Sequence, residues 1–347
     1  MHKKYNKFIF LSTLTRNLIE VFSCLLLYIE GYSIKNILLF LIIMQISGII
    51  TIYISLKTNF KITLIISSIL YGLSFYYLSI MNKTIINLII FACLLSISNY
   101  SYNIIKHLLA IKEKNNTKKE ISITLISQYI AKIISTIIGA IIFNKMELKL
   151  ASIIIIIISI LSIIPIRKFK THKANINIKK VIIPRKKIIF SILEQFKIIF
   201  ITLQPLYLYI YIKKSIYYIS TFNIIITLTS IILMYIITKK IQNKYFKYIN
   251  IIFISALILK LNIKNNIILL LVALLEGIGQ KIYEVMSLDN LYVENKNPES
   301  YLMKEELIFG ISRTIILILY LIILKNNLIT MLYISIIGIY ISAYFID

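Results

Sequence analysis

The sequence has no tryptophan, two cysteines, three histidines, four prolines and only eight glycines in 347 residues. Cys24 and Cys93 both fall inside apolar runs, so they read as small packing residues and a disulfide framework is excluded. His2, His107 and His172 lie in or beside basic breaks and form no spaced ligand set with the cysteines, which excludes a His/Cys metal centre. Neither a phosphate-cradling Gly-rich loop nor a dinucleotide fingerprint occurs, so the chain is not expected to use ATP or any other cofactor. Acidic residues number 14 against 39 Lys and Arg and are nowhere paired in a short polar break, which argues against a metal-dependent hydrolase.

What the chain has in excess is apolar length. Hydrophobic residues make up 59% of it and the mean hydropathy is +0.86. The apolar residues fall in blocks near 8–29, 36–56, 62–81, 85–105, 121–143, 149–166, 188–212, 216–237, 247–262, 266–284, 306–324 and 328–345. A helix of about 20 apolar residues crosses the hydrocarbon core, so an all-α polytopic membrane protein with twelve spans is expected. Alternating ten-residue strands, the mark of a membrane barrel, are not what these Ile/Leu runs show. The first block follows a positive start, MHKKYNK, but it is full length and no A-x-A type site follows, so it is read as a retained span.

Charge sets the expected orientation. With the N-terminus inside, the cytoplasmic breaks collect 25 of the 39 Lys and Arg. The outer breaks hold Lys35, Lys83, Lys145, Lys149, Lys213, Lys214, Lys264 and Lys325. Both termini are therefore expected in the cytoplasm of a multi-pass protein of the inner or plasma membrane. The net charge of +25 then needs no nucleic acid, because a basic face beside anionic lipid accounts for it. The longest basic break, 167–187, divides the spans six and six. It gives an N-terminal bundle over 1–166, a basic cytoplasmic linker over 167–187 and a C-terminal bundle over 188–347. An offset of 181 takes Arg16 to Lys197 and Lys132 to Arg313, a trace of internal duplication.

Polar residues inside the spans share faces. On the first helix Thr13, Arg16, Asn17, Glu20, Ser23 and Cys24 fall within an arc of about 120°. Arg16 and Glu20 stand at i and i+4, close enough to pair. Span 4 repeats the pattern with Ser96, Asn99, Asn103 and Lys106, and span 7 with Glu194, Lys197, Gln204 and Pro205. Span 10 places Glu276, Gln280 and Glu284 on one side, with Gly277 and Gly279 permitting close approach. Lys132 lies in span 5 and Arg313 in span 11, whereas spans 3, 6 and 12 carry no interior charge. An ionisable group in a span faces the bundle interior or a water-filled cavity, at a cost of roughly 2.5–3.5 kcal/mol on insertion scales.

Twelve spans, a basic central loop and polar faces on spans 1, 4, 7 and 10 together resemble the major facilitator superfamily of secondary transporters. The resemblance covers the whole chain and is one of architecture. It implies that helices 1, 4, 7 and 10 line a central cavity, that 2, 5, 8 and 11 flank it, that 3, 6, 9 and 12 face lipid, and that the protein is a monomer. The family's loop motif between helices 2 and 3 should fall at SLKTNFK, residues 55–61, where only its basic character survives. The counterpart TKKIQNKYFK, 238–247, also lacks the glycine and aspartate.

The expected function is secondary active transport of a small solute by alternating access, with the proton as candidate coupling ion. Arg16, Asn17, Glu20, Asn99, Asn103, Lys132, Glu194, Lys197, Gln204, Glu276, Gln280 and Arg313 are the expected pathway residues. Glu20 and Glu276 are the carboxylates for protons, since desolvation raises a carboxyl pKa and a nearby cation lowers it. Lys132 and Arg313 are expected either to supply that cation or to hold an anionic substrate. The structural alternative makes Arg16 and Glu20 a packing ion pair, and lets Lys197 snorkel. A membrane enzyme of polysaccharide or lipid-linked sugar assembly is the rival class, weakened by outer breaks of about six residues.

Overall fold

The computed structural model describes residues 2–112, 118–167, 181–237, 246–292, 298–323 and 327–345. Some helical side chains also lie outside the described set, among them those of Glu20 and Glu284. The helices in chain order are α1 (His2–Glu20, resumed as Ser23–Ile29), α2 (Ile34–Lys57), α3 (Phe60–Ile80), α4 (Ile85–Lys112), α5 (Lys118–Lys145) and α6 (Leu148–Leu161, resumed as Ile163–Ile166). The second set is α7 (Arg185–Tyr207, resumed as the π-helical Leu208–Ile212), α8 (Ile216–Ile237), α9 (Phe246–Asn262), α10 (Asn266–Tyr292), α11 (Pro298–Ile323) and α12 (Leu328–Ser342). Among the described residues, nine stretches are long and apolar enough to cross a bilayer. The fold is an all-helical, multi-pass membrane fold of two six-helix bundles.

Short polar breaks start the helices. The Ser33 and Asn59 side chains accept from the amides of Asn36 and Lys61 at 3.3 and 2.9 Å, and Asn265 does the same for Ile267 at 2.9 Å. These caps satisfy amides that have no partner one turn back. Two apolar blocks are less continuous than their composition suggests. α1 breaks at a turn over 21–22, which turns the Phe22 ring onto Phe143 of α5 at 5.5 Å. α6 breaks at Ser162, three residues before Pro165, whose missing amide leaves the ladder open. α11 begins at Pro298, well before the apolar block near 306, because Tyr301, Leu302 and Met303 are buried and extend its packed face.

The two halves repeat one packing plan. In the first, α1 packs on α5 and α6, α2 and α3 on α4, and α3 on α6. In the second, α7 packs on α11 and α12, α8 and α9 on α10, and α9 on α12. The register repeats too: α2, α4, α5 and α6 begin at 34, 85, 118 and 148, and α8, α10, α11 and α12 at 216, 266, 298 and 328, an offset near 181. Close approach in the second half depends on glycine. A Cβ on Gly277 would sit 2.7 Å from the Ile226 carbonyl oxygen of α8, and one on Gly279 would sit 2.7 Å from the Phe253 Cα of α9.

The bundles meet along two seams, α2 with α11 and α5 with α8. An exchange of halves converts one seam into the other. At the end of the molecule that carries the α1–α2 turn, the Ser23–Ile29 segment also packs on α7, with the Tyr28 and Tyr209 rings 6.4 Å apart. Outward, α6 exposes Ile153, Ile157, Ile160 and Ile164, a helical stripe of the kind lipid solvates.

Candidate functional site

A helix crossing an apolar layer keeps its charges only where other side chains answer them. Among the described residues, four such places stand out, two inside the bundles and two on the seams.

Inside the N-terminal bundle, Arg16 is 5% exposed. Its guanidinium donates to Asn99 Oδ1 at 2.7 Å and Ser98 Oγ at 3.1 Å on α4, and to Ser67 Oγ at 3.3 Å on α3. The Tyr102 and Tyr71 rings stack on it at 4.1 and 4.8 Å. The next residue, Asn17, points 100° round the helix and donates to Ser135 Oγ at 2.8 Å and Thr136 Oγ1 at 3.2 Å on α5. One polar pair thus ties α1 to three neighbours. The i,i+4 partner expected for Arg16, Glu20, lies outside the described side chains.

Inside the C-terminal bundle, Lys260 of α9 and Glu276 of α10 are 0% and 1% exposed and meet at 2.6 Å. The ammonium also lies 4.6 Å from the Phe200 ring centre and 5.5 Å from that of Phe222. Gln204, 3% exposed, is buried on α7, and its Nε2 has no hydrogen-bond partner among the described residues.

On the α2–α11 seam, Arg313 donates from Nη2 to Gln195 Oε1 of α7 at 2.6 Å, and from Nη1 to Gln45 Oε1 of α2 at 3.2 Å and the Tyr100 hydroxyl of α4 at 3.5 Å. Tyr100 in turn donates to Gln45. Gln45 and Tyr100 belong to one bundle and Gln195 and Arg313 to the other, so this network closes the seam with neutral acceptors. One turn or more toward the terminal end, Ser191 of α7 donates to Glu305 Oε1 of α11 at 3.3 Å.

The α5–α8 seam is built differently. It holds a cavity of about 210 Å³ lined by Tyr129 and Lys132 of α5, Lys197 of α7, Ile226, Thr227 and Ser230 of α8, and Gln280 of α10. Lys197 is paired with Glu194 at 3.1 Å, one helical turn away. Lys281 of α10, 1% exposed, donates to the Tyr129 hydroxyl and sits 4.6 Å from its ring centre. Lys132 sits 5.6 Å from the same ring. Two cations from opposite bundles thus bracket one tyrosine.

Of the expected pathway residues, Lys132, Lys197 and Gln280 come together on this cavity, with Glu194 beside them. Arg16, Asn17 and Asn99 are gathered inside one bundle and Glu276 inside the other. Arg313 lies on the opposite seam, and Asn103 is half-buried on α4. Sequence reasoning passed over Tyr129, Lys281, Gln45, Tyr100, Gln195 and Glu305. Lys281 carried the clearest signal, a lone lysine inside an apolar block, but it falls one position beyond the face defined by Glu276 and Gln280. Gln45 and Gln195 had a weaker one, an amide in an otherwise apolar run.

No family model matches the sequence, and no curated protein matches it significantly. Among solved structures, a crystal structure of a mutant of the nucleoside transporter NupG matches with a TM-score of 0.68 at 12% sequence identity, covering 99% of this chain and 98% of that one. The likeness runs over nearly the whole length of both chains, so the protein shares the all-helical fold of that structure.

Proposed function

We propose that the protein is a secondary transporter that carries a small solute through the space between its bundles. The observation that carries this reading is the cavity in the α5–α8 seam, walled by helices of both halves and lined mostly by polar side chains, two lysines, a glutamine, a threonine, a serine and a tyrosine beside Ile226. A solute held there touches both bundles at once, which is what a rocking motion needs if it is to expose one site to two sides. The rocking units are residues 1–166 and 188–347, joined by the basic stretch 167–187, of which 168–180 lie outside the described residues. The pairing of Tyr28 with Tyr209 then belongs to a state closed at the outer face, with both termini in the cytoplasm and the chain monomeric in an inner or plasma membrane.

Solute class starts from the fold likeness, so nucleosides are the first probes, with carboxylates and phosphate beside them. Coupling is assigned to Glu20 and Glu276. For Glu276 the partner is Lys260, and a proton on the carboxyl is the alternative to that ion pair. The test is solute counterflow in proteoliposomes: preloaded unlabelled solute should draw labelled solute in, and an inward acid gradient should raise the plateau. Counterflow absent for every probe class would remove the transporter reading. Uptake in which Glu20→Gln and Glu276→Gln both retain the acid dependence would remove the proton.

A further inference from the structure

The contact of α7 with α11 repeats that of α1 with α5, but it holds acids that its counterpart does not. At the offset of 181, Glu194 answers to Thr13, Glu305 to Thr124 and Glu306 to Leu125, whereas Lys197 answers to the equally basic Arg16. The packing of this helix pair is therefore met without carboxylates at these three places. Glu305 is 7% exposed, its Oε1 accepts from Ser191 of α7 at 3.3 Å, and its Oε2 has no hydrogen-bond partner among the described residues. No Lys or Arg among them comes within 4.0 Å of it. The charges that face it are Glu194 of α7 foremost, then Glu306 of its own helix, and only after these Lys187 of α7. Tyr301, one turn back on α11, also stands near it, with a hydroxyl that has no hydrogen-bond partner either. From α2 and α4 no charge acts on Glu305; Lys106 of α4 acts on Glu306, as does Arg313.

We propose that Glu305 is a proton-binding site on the transport path, with the proton on Oε2 and Glu194 as the neighbouring carboxyl that exchanges it. This deepens the transporter reading, adds a station to the two carboxylates assigned above, and rests on that reading. Three observations support it. First, a buried carboxylate whose oxygen accepts nothing is far costlier than the neutral acid, and of two carboxylates at one place one keeps a proton. Glu194 is the member that stays charged, because the Lys197 ammonium is 3.1 Å away, so the proton falls to Glu305. Second, no group of carboxylates among the described residues is gathered closely enough to hold a metal ion, which leaves the proton as the cation that fits. Third, Lys197 also lines the cavity in the α5–α8 seam, so the solute and the proton act on one ion pair from its two sides. In the transfer the Oε2–H bond breaks, its electron pair stays on Oε2, and the proton passes to a Glu194 oxygen or to water. A proton received by Glu194 neutralises its half of the ion pair and changes the charge on the cavity wall.

The experiment records infrared spectra of the full-length protein in nanodiscs near neutral pH, in light and in heavy water. The expected result is a carbonyl band of a protonated carboxyl that shifts in heavy water and is lost in Glu305→Gln, a variant that keeps the shape of the neutral acid. With the proton on Oε2, the carbonyl oxygen is Oε1, so Ser191→Ala removes its hydrogen bond and should move the same band to higher frequency. Wild-type spectra in both variants would overturn the proposal. So would a band that fades when sodium replaces choline in the buffer, because the site would then take a metal cation. Transport is read separately in proteoliposomes: Glu305→Gln should keep counterflow, which needs no net proton movement, and lose the stimulation of uptake by an inward acid gradient. Acid stimulation of wild-type size in Glu305→Gln would overturn the place of Glu305 on the path. Counterflow absent for every probe class, with the band present and lost in Glu305→Gln, would uphold the proton on Glu305 and overturn transport.

Discussion

The two bundles bury charge in opposite ways. The N-terminal bundle takes in Arg16 and sets hydroxyls, an amide and two tyrosine rings around it, so that neutral dipoles from α3 and α4 share in solvating the cation. The C-terminal bundle takes in Lys260 and answers it with one carboxylate, Glu276. Dipolar solvation is distributed: each contact is small and no single loss leaves a charge alone. An ion pair is concentrated, so that removing either member strands the other in a medium that cannot hydrate it.

That contrast can be broken most severely in the second bundle. Glu276→Gln leaves the Lys260 ammonium without its counter-charge and should cost about 3–5 kcal/mol, read as a lowered unfolding midpoint in detergent. Replacing both members with apolar residues of similar size, Lys260→Met with Glu276→Leu, should recover most of that loss. A double variant no more stable than Glu276→Gln would show that the pair does more than neutralise itself. Arg16→Met is expected to cost less, about 1.5–3 kcal/mol, because the substitution removes the cation itself and the Ser98 hydroxyl keeps a bond to the Ser67 carbonyl at 2.6 Å. A larger loss for Arg16→Met than for Glu276→Gln would reverse the comparison. The smallest effect should come from Asn17→Ala, about 1 kcal/mol, since the Ser135 and Thr136 hydroxyls keep their bonds to the Lys132 carbonyl at 2.8 Å each. The same unfolding measurement ranks all three.

The sequence made the helices legible because the bilayer enforces their length, and the short Ser and Asn breaks proved to be caps. It also made the inward faces legible, since Arg16, Asn17 and Glu276 each needed a protein-facing environment. What one helix cannot reveal is which interior it faces. A bundle core and a central cavity both select polar residues at helical spacing, and the difference lies in partners far along the chain. Arg16 shows this: its nearest sequence partner was Glu20, but the residues that enclose it include Ser67, Ser98 and Asn99 from two other helices. The 181-residue offset was visible at two positions only, and its meaning depended on knowing that Lys132 and Arg313 stand on equivalent seams.

The last turn of α7 offers a mechanical consequence. Leu208–Ile212 is wound as a π-helix three residues after Pro205, and it closes with the Lys213 amide on the Leu208 carbonyl at 2.9 Å. Such a turn holds one residue more than the α form, so a change between the two windings advances whatever follows by about 100°. Tyr209, the ring that meets Tyr28, sits on this turn. The contact between the bundles at that end therefore hangs on a ratchet tooth: one residue of rewinding swings the tyrosine off its partner while the axis of α7, and everything bound below it, stays where it was.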